Sequence, residues 1–308
     1  MEPNFEKTLK KAKLKNTLRI ILITIVTLLI TIPLFYSLSN KIVGKQSDRL
    51  NDFLFLRNRI AEPNIQIDSQ VLSYSSATGG EIVSNRSKDI SGYVVPWDTI
   101  RATYSLFSSN VDHNELLSGL HWTEKNTYSY NKQTKQKVAD FYHPDVNYSG
   151  YLKEMPNDLK LMDEKKSEVT EMAISFDKPV KWKEVKADIP KGVTVKWLYM
   201  GSNIPDKKPM GPPGMDNYGF SPDMEQEQDS FEGFLDDLKQ YDDRKTDEEI
   251  QKILKKSKDK SLSDTEILGI LVTGENKDLK KMQKFSHLRA ASVGVTVETN
   301  PYIKVEKE

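Results

Sequence analysis

The sequence predicts an α+β protein with a single N-terminal transmembrane helix, a mostly-β middle region and a C-terminal ferredoxin-like βαβ-insert-βαβ domain. An uncharged apolar run at 20–38, alternating apolar residues after residue 64, and two strand–helix–strand patterns after residue 160 lead to this prediction. The predicted segments are a basic tail (1–19), the transmembrane helix (20–38), a juxtamembrane helix and linker (39–63), the mostly-β region (64–160), the ferredoxin-like domain (161–300, insertion 201–262) and a tail (301–308).

The apolar run reads IILITIVTLLITIPLFYSL from Ile20 to Leu38 and contains no charge. At 1.5 Å per residue, a helix of about 19 residues just spans a hydrocarbon core of about 30 Å. Pro33 is tolerated near the end of such a helix, and a buried helix of a soluble protein would instead show a polar face. A cleaved secretory signal is the alternative, although the run is longer than such signals usually are. The hydroxyl groups in the run can bond to carbonyls of the same helix: Thr24, Thr27, Thr31 and Ser37.

Basic residues are denser before the apolar run than after it, which predicts a cytoplasmic N-terminus and extracytoplasmic C-terminal domains. Those before it are Lys7, Lys10, Lys11, Lys13, Lys15 and Arg19, and those shortly after it are Lys41, Lys45 and Arg49. In the tail, Phe5 and Leu9 fall near one helical face. They are candidate contacts for a cytoplasmic or membrane partner, or the tail only orients the anchor on anionic lipid.

Composition limits the chemistry that this chain can perform. The formal net charge is zero, so no basic surplus indicates nucleic-acid binding. The absence of cysteine excludes a disulfide framework and any thiolate metal site. We therefore expect no cofactor and no small-molecule substrate, and we expect the lipid bilayer to be one partner.

The outer region reads as strands first and as two βαβ patterns afterwards. Strands are predicted at 64–74, 81–84 (after a Gly79-Gly80 turn), 92–96, 100–107 and 138–142, with their order left open. The C-terminal domain has predicted strands at 168–176, 193–200, 266–273 and 292–298, and predicted helices at 180–187 and 276–285. Asn276 is the predicted N-cap of the last helix.

The insertion contains a loop rich in proline and glycine at 204–222, followed by a helical stretch at 230–258. We expect one apolar stripe on the first helix and a cap at Thr246 for the second. In the loop, large apolar residues form a candidate recognition surface, or else pack back onto the sheet as core cover. They are Met210, Met215, Tyr218 and Phe220.

No motif in the sequence indicates catalysis. The four histidines, His113, His121, His143 and His287, have no metal-binding spacing. Five clustered acidic residues are expected to form a solvated helix face rather than a calcium site: Asp242, Asp243, Asp247, Glu248 and Glu249. Neither a nucleophile elbow nor a Walker-type glycine loop is present, so the chain is expected not to be an enzyme.

Several runs resemble one family. The N-terminal run FEKTLKKAKLKNTLRIILITIVTLLI, then VTEMAISFDKPVKWKEVK, VKWLYMG and EILGILVTGENKDLKKMQKFSHLRAASVGVTVE, resemble the sigma factor regulator family of Bacillus and its relatives. The resemblance implies a membrane-anchored regulator, such as an anti-sigma factor that holds an extracytoplasmic-function sigma factor inactive. Only about 18 residues precede the apolar run, whereas masking a sigma factor alone would need a larger cytoplasmic portion. An accessory subunit that works with a small membrane co-regulator is therefore a second form of this expectation.

Two functions of different classes follow. In the first, the outer domains sense an envelope state and the N-terminal tail passes it to a sigma factor or its partner. In the second, the outer domains bind an envelope ligand or protein, and the tail only orients the anchor.

Overall fold

A computed structural model describes residues 3–112, 119–122, 127–204, 207–209, 217–243 and 245–300. The protein is α+β, as predicted. Its helices are α1 (Pro3–Ala61), α2 (Trp182–Asp188), α3 (Glu227–Tyr241), α4 (Glu248–Ser257) and α5 (Asn276–Leu279). Its strands are β1 (Gln66–Ser76), β2 (Gly79–Ile90), β3 (Tyr93–Pro96), β4 (Ile100–Ser105), β5 (Ser109–Asp112), β6 (Gly119–Trp122), β7 (Thr127–Tyr130), β8 (Glu168–Lys181), β9 (Val193–Ser202), β10 (Asn217–Phe220), β11 (Glu266–Glu275) and β12 (Leu288–Glu298).

The chain forms two compact units. The first contains Met1–Asn51, Leu72–Ile82 and Ala102–Val111, and the second contains Asp52–Val71, Val83–Arg101 and Asp112–Glu308. Helix α1 and strands β1, β2, β4 and β5 contribute residues to both units.

Helix α1 is a single element through the predicted tail, apolar run and juxtamembrane helix. Large apolar side chains between Ile20 and Leu38 are exposed, as expected for a surface that contacts lipid. The helix is long and apolar enough to cross a membrane, and its most apolar stretch has no buried residue. The Thr24 and Thr27 hydroxyls donate to carbonyls four residues earlier, each at 2.9 Å, which confirms that part of the prediction.

In the first unit, α1 packs on the β1–β2 hairpin. Val43 and Leu50 are buried, and the Ser39 hydroxyl donates to the Ala77 carbonyl in the hairpin turn. The predicted Gly79-Gly80 turn is two positions off, because the turn is formed by Ala77 and Thr78 and these glycines begin β2. A Cβ on Gly80 would lie only 2.7 Å from the Tyr74 backbone carbonyl oxygen and 2.3 Å from the Tyr104 hydroxyl oxygen, so close packing requires glycine there.

The middle region is mostly β, with one sheet in the order β1-β2-β4-β5, β3 paired to β2, and a separate β6–β7 hairpin. The predicted strand at 138–142 is wrong. This segment has no strand ladder, because the Asp140 and Tyr142 amides donate to side-chain hydroxyls and its apolar groups pack on another sheet. The Tyr142 amide donates to Ser175 Oγ at 2.9 Å, and the Phe141 ring stacks on Tyr199 at 4.6 Å.

The C-terminal sheet has the order β10-β9-β11-β8-β12, and all four pairs of neighbours are antiparallel. Its four long strands match the predicted strands and extend them at their ends. The helix predicted at 276–285 is only partly correct, since α5 ends at Leu279 and a 3-10 helix continues over Lys280–Lys284. Asn276 is not the N-cap: its side chain instead binds Thr170 and Glu168, at 2.8 and 2.9 Å.

The insertion is part of the main core. Strand β10 extends the sheet, and α3 and α4 supply Phe231, Phe234, Leu238, Ile250 and Ile253 to the buried cluster. The apolar stripe predicted on the first helix is therefore confirmed. The helical stretch breaks between α3 and α4, and the cap of α4 is Asp247 rather than Thr246. Its carboxylate accepts from the Glu249 and Ile250 amides, both at 3.0 Å.

Candidate coupling site at the end of the long helix

The last two turns of α1 are embedded in the second unit. Ile60 is completely buried and Ala61 is 4% exposed, and both belong to the cluster that contains the apolar stripe of α3. The Phe53 ring stacks on Tyr241 of α3, with ring centroids 5.6 Å apart. The end of a helix that begins in the basic tail is thus part of the core of the C-terminal domain.

An ion pair holds the same two helices in register. Arg59 of α1 donates from Nε and Nη2 to the two carboxylate oxygens of Asp237 on α3, at 2.6 and 2.8 Å. The hydrogen bonds that Arg59 donates to this carboxylate raise the Arg59 pKa. A bidentate pair constrains orientation as well as distance, because both donors lie in one rigid plane. The Arg59 side chain is half exposed, so the main effect of the pair is geometric.

A buried ionic cluster lies directly after the helix. Arg86 on β2 binds the Glu62 carboxylate at 2.9 Å, and it also binds the Asp98 carboxylate and the Asp98 carbonyl. Asn58, in the last turn of α1, donates to Glu62 at 2.9 Å. The Arg86 side chain is 1% exposed, so these groups are bonded to one another in place of water.

A second buried pair connects β2 to the C-terminal sheet. Lys88 Nζ contacts both Glu171 carboxylate oxygens on β8, at 3.0 and 2.9 Å, and Glu171 is completely buried. Asn64 donates to the same carboxylate at 2.9 Å. The Lys88 ammonium also lies 4.4 Å from the Trp97 ring centroid, where a cation–π contact is favourable. This charge pair therefore joins three segments: the turn after α1, strand β2 and strand β8.

Two family models match the regions that this site connects. The sigma factor regulator N-terminal model matches residues 6–95, and the sigma factor regulator C-terminal model matches residues 159–295. The chain belongs to the sigma factor regulator family. Comparison with curated proteins and comparison with solved structures gave no significant match.

The ion pairs of this site join the two regions that the family models match, and they do so inside one compact unit. Glu62, Arg86 and Lys88 lie in the N-terminal match, whereas Glu171 and Asp237 lie in the C-terminal match. The family is regulatory rather than enzymatic, and it implies a sigma factor as partner. The site's chemistry is suited to holding segments in one arrangement, since a buried charge tolerates few positions of its partner.

Analysis of the sequence missed this site. Arg86 and Lys88 look like solvent-facing residues of an alternating strand, and Glu171 looks like one polar residue among apolar ones. The signal available in the sequence is that Arg86 and Lys88 lie on the same face of β2 as the apolar Ile82 and Ile90, and the structure buries that face. Only a partner of opposite charge makes such burial stable, and its identity depends on the tertiary fold.

The residues predicted for partner binding have different positions. Leu9 is 44% exposed on α1, whereas the Phe5 side chain, Met210 and Met215 lie outside the described residues. Tyr218 and Phe220 are 3% and 4% exposed in β10, so they are core cover and not an exposed recognition surface. The Tyr218 hydroxyl donates to Asp247 at 2.7 Å, and Phe220 stacks on Phe234 at 4.9 Å.

The histidines and acidic residues form no metal site in the described part of the chain. His113 and the side chain of His121 lie outside it, and His287 lies 3.5 Å from Asp177. The predicted solvated face is wrong for Asp242, which is buried and accepts from Thr246, Asp247 and Gln251 in the turn between α3 and α4. The turn needs this carboxylate because its backbone amides have left the helix.

Asp140, which is half-buried in the 138–142 segment, and His143, which is buried just after it, contribute to stability with opposite dependence on pH. Burial raises the pKa of Asp140 from 3.8 to about 6, and burial lowers the pKa of His143 from 6.5 to about 4. Between pH 4 and 6, native Asp140 keeps a proton that the unfolded chain loses, so its contribution to stability falls as pH rises. Between pH 6.5 and 4, the unfolded chain binds a proton that native His143 does not, so its contribution falls as pH falls.

We expect the free energy of unfolding of Asp140→Asn to rise by about 1–3 kcal/mol relative to that of the unmodified protein as pH increases from 4 to 6.5. The free energy of unfolding of His143→Gln should rise relative to that of the unmodified protein as pH decreases from 6.5 to 4. Urea unfolding of the full chain in detergent, followed by tryptophan fluorescence at several pH values, measures both differences. Identical pH profiles for the two variants would contradict the assignment.

Proposed function

We propose that this chain is a membrane-anchored regulator, anti-sigma factor-like or an accessory subunit, that links an extracytoplasmic sensing domain to an extracytoplasmic-function sigma factor. In this proposal α1 crosses the membrane once, with the basic tail in the cytoplasm and the C-terminal domains outside. The excess of lysine and arginine before Ile20 supports this orientation. The exposed apolar surface of the helix supports the span.

The observation that carries the proposal is the continuity of α1 from the tail to the buried residues Ile60 and Ala61. A change in the C-terminal core that shifts these residues acts on the same helix that begins in the cytoplasm. The energetic demand is modest, since a tenfold change in partner occupancy corresponds to about 1.4 kcal/mol.

We also propose that the C-terminal domain is a ferredoxin-like sandwich. Its long strands have the order β9-β11-β8-β12, so β9 runs parallel to β8 and β12 runs parallel to β11. Each parallel pair is separated by one antiparallel strand and connected through a helix, as in two split βαβ units. Strand β10 is an additional edge strand that comes from the insertion.

On the cytoplasmic side, we propose that Phe5 and Leu9 contact the sigma factor or a small membrane co-regulator. Leu9 is exposed among lysines on α1, so it is available for such a contact. On the outer side, Met210 and Met215 are the proposed recognition residues of the segment rich in proline and glycine that precedes β10 in the sequence.

Exchanging the charges of Arg59 and Asp237 at the end of α1 tests the proposed link between the C-terminal domain and the sigma factor. We expect Arg59→Asp to alter transcription from a promoter that depends on the regulated sigma factor, because two carboxylates then face each other at the α1–α3 contact. The double variant Arg59→Asp with Asp237→Arg should restore the response, since it recreates the ion pair in reverse. Lys239→Asp is the matched control: Lys239 is also on α3, and its ion pair among the described residues is with Asp236, three residues away.

Photo-crosslinking in cells identifies the partner in the same strains. A photoreactive residue in place of Thr8 should capture a sigma factor or a small membrane protein. Capture of lipid alone, together with an unchanged reporter in Arg59→Asp, would contradict regulation and favour an envelope-facing binding module.

A further inference from the structure

The two hairpins of the first unit place an exposed aromatic residue beside the end of the apolar run. In the β4–β5 hairpin, Phe107 is 92% exposed in a turn closed by the Ser105 amide and the Ser108 carbonyl, at 2.7 Å. The Ser105 hydroxyl also accepts from the Phe107 and Ser108 amides, at 3.3 and 3.1 Å. The turn therefore has a defined shape, and the ring points into open space.

Hydrogen bonds connect this turn, through the β1–β2 turn, to the position on α1 where the apolar run ends. The Leu106 amide donates to the Thr78 carbonyl at 3.2 Å, which ties the tip of the β4–β5 hairpin to the tip of β1–β2. The neighbouring Ala77 carbonyl accepts from the Ser39 hydroxyl, and Ser39 follows directly after Leu38. Ser39 is 2% exposed, so the hairpin tip covers α1 at this point.

We propose that the tips of the β1–β2 and β4–β5 hairpins form a second membrane contact, in which the Phe107 ring enters the outer lipid interface. This inference rests on the proposed membrane span of α1, because the end of that span places the tips at the boundary between hydrocarbon and water. Tyrosine and tryptophan are enriched in this zone, and phenylalanine rings insert into the boundary between headgroups and acyl chains. Phe35 and Tyr36 occupy the same end of the helix with exposed side chains.

The charge pattern around the tips fits a lipid surface. Lys41 and Lys45 follow on α1 with exposed side chains, so they can reach lipid phosphate groups. The tips themselves carry serine, threonine, alanine, leucine and phenylalanine and no charge. A contact of this kind would hold the start of the outer region against the bilayer and limit the tilt of the helix.

Site-directed spin labelling tests the contact, and the absence of native cysteine allows one label per molecule. Three single-cysteine variants of the full chain are reconstituted in vesicles of phosphatidylglycerol and phosphatidylethanolamine. Phe107→Cys is the test position, Leu29→Cys is the lipid control within the run, and Arg49→Cys is the water control. Arg49 lies about 16 Å beyond Leu38 along the helix.

The measured quantity is the ratio of two collision rates of the spin label. The first is its collision rate with oxygen, which enters lipid, and the second is its collision rate with a water-soluble nickel chelate. We expect the ratio at 107 to be several-fold higher than at 49 and to approach the ratio at 29. A ratio at 107 equal to that at 49, with 29 in lipid, would overturn the contact and leave the anchor intact. A low ratio at 29 would show that the span itself is wrong and would overturn both proposals.

Discussion

Replacing Lys88 with methionine is expected to lower the free energy of unfolding by about 3–5 kcal/mol. Methionine has a similar length but cannot pair with Glu171, which is completely buried. The carboxylate would then keep the hydrogen bond from Asn64 and lose its only contacting ammonium group among the described residues. A buried charge without a counter-charge is far more costly than the lost attraction alone, because water cannot replace the partner.

The control for this variant is Lys183→Met. Lys183 binds Asp264 at 2.8 Å, a distance close to that of the buried pair, but both side chains are more than half exposed. We expect no measurable loss of stability there, since exposed pairs are screened by solvent. The double variant Lys88→Met with Glu171→Gln should recover part of the loss, because it removes the uncompensated charge. Equal losses in Lys88→Met and Lys183→Met would refute a special role for the buried pair.

Replacing Ile60 with alanine is expected to cost about 2–5 kcal/mol, the range for truncating a large aliphatic side chain in a packed core. Ile60 is completely buried in the cluster that includes the α3 stripe, so the truncation leaves a cavity where α1 enters the domain. The same variant should weaken or abolish the control of the sigma-dependent reporter, because the helix end is then held less firmly.

Phe55→Ala provides the matched control on the same helix. Phe55 is 38% exposed, so its truncation should change stability by about 0.5 kcal/mol and leave the reporter response intact. Urea unfolding of the full chain in detergent measures the first effect, and the reporter strain measures the second. An Ile60→Ala protein that loses stability but responds normally would show that the helix end does not transmit the signal.

Features that depend on local pattern were predictable from the sequence. The apolar run from Ile20 to Leu38 is uncharged on every side, and this pattern has one common structural outcome whatever the rest of the chain does. The long C-terminal strands were predictable because their apolar residues alternate or run continuously. The apolar stripe of α3 was predictable for the same reason, since spacing alone defines which face is buried.

Features that depend on a partner distant in sequence were decided by the tertiary structure. Asn276 looks like a helix cap, but Thr170 and Glu168, more than 100 residues earlier, use its side chain instead. Tyr218 looks exposed in a proline-rich loop, but pairing of β10 with β9 buries it.

The candidate coupling site belongs to the same class. The sequence by itself determined that a helix of membrane-spanning length precedes a β-rich region and a βαβ-patterned domain. Only the tertiary structure decided that the helix ends inside that domain, with Lys88 against Glu171 and Arg59 against Asp237. The physical reason is that apolar spacing encodes which face of an element is buried, whereas a buried charge is stable only beside a specific group that folding brings to it.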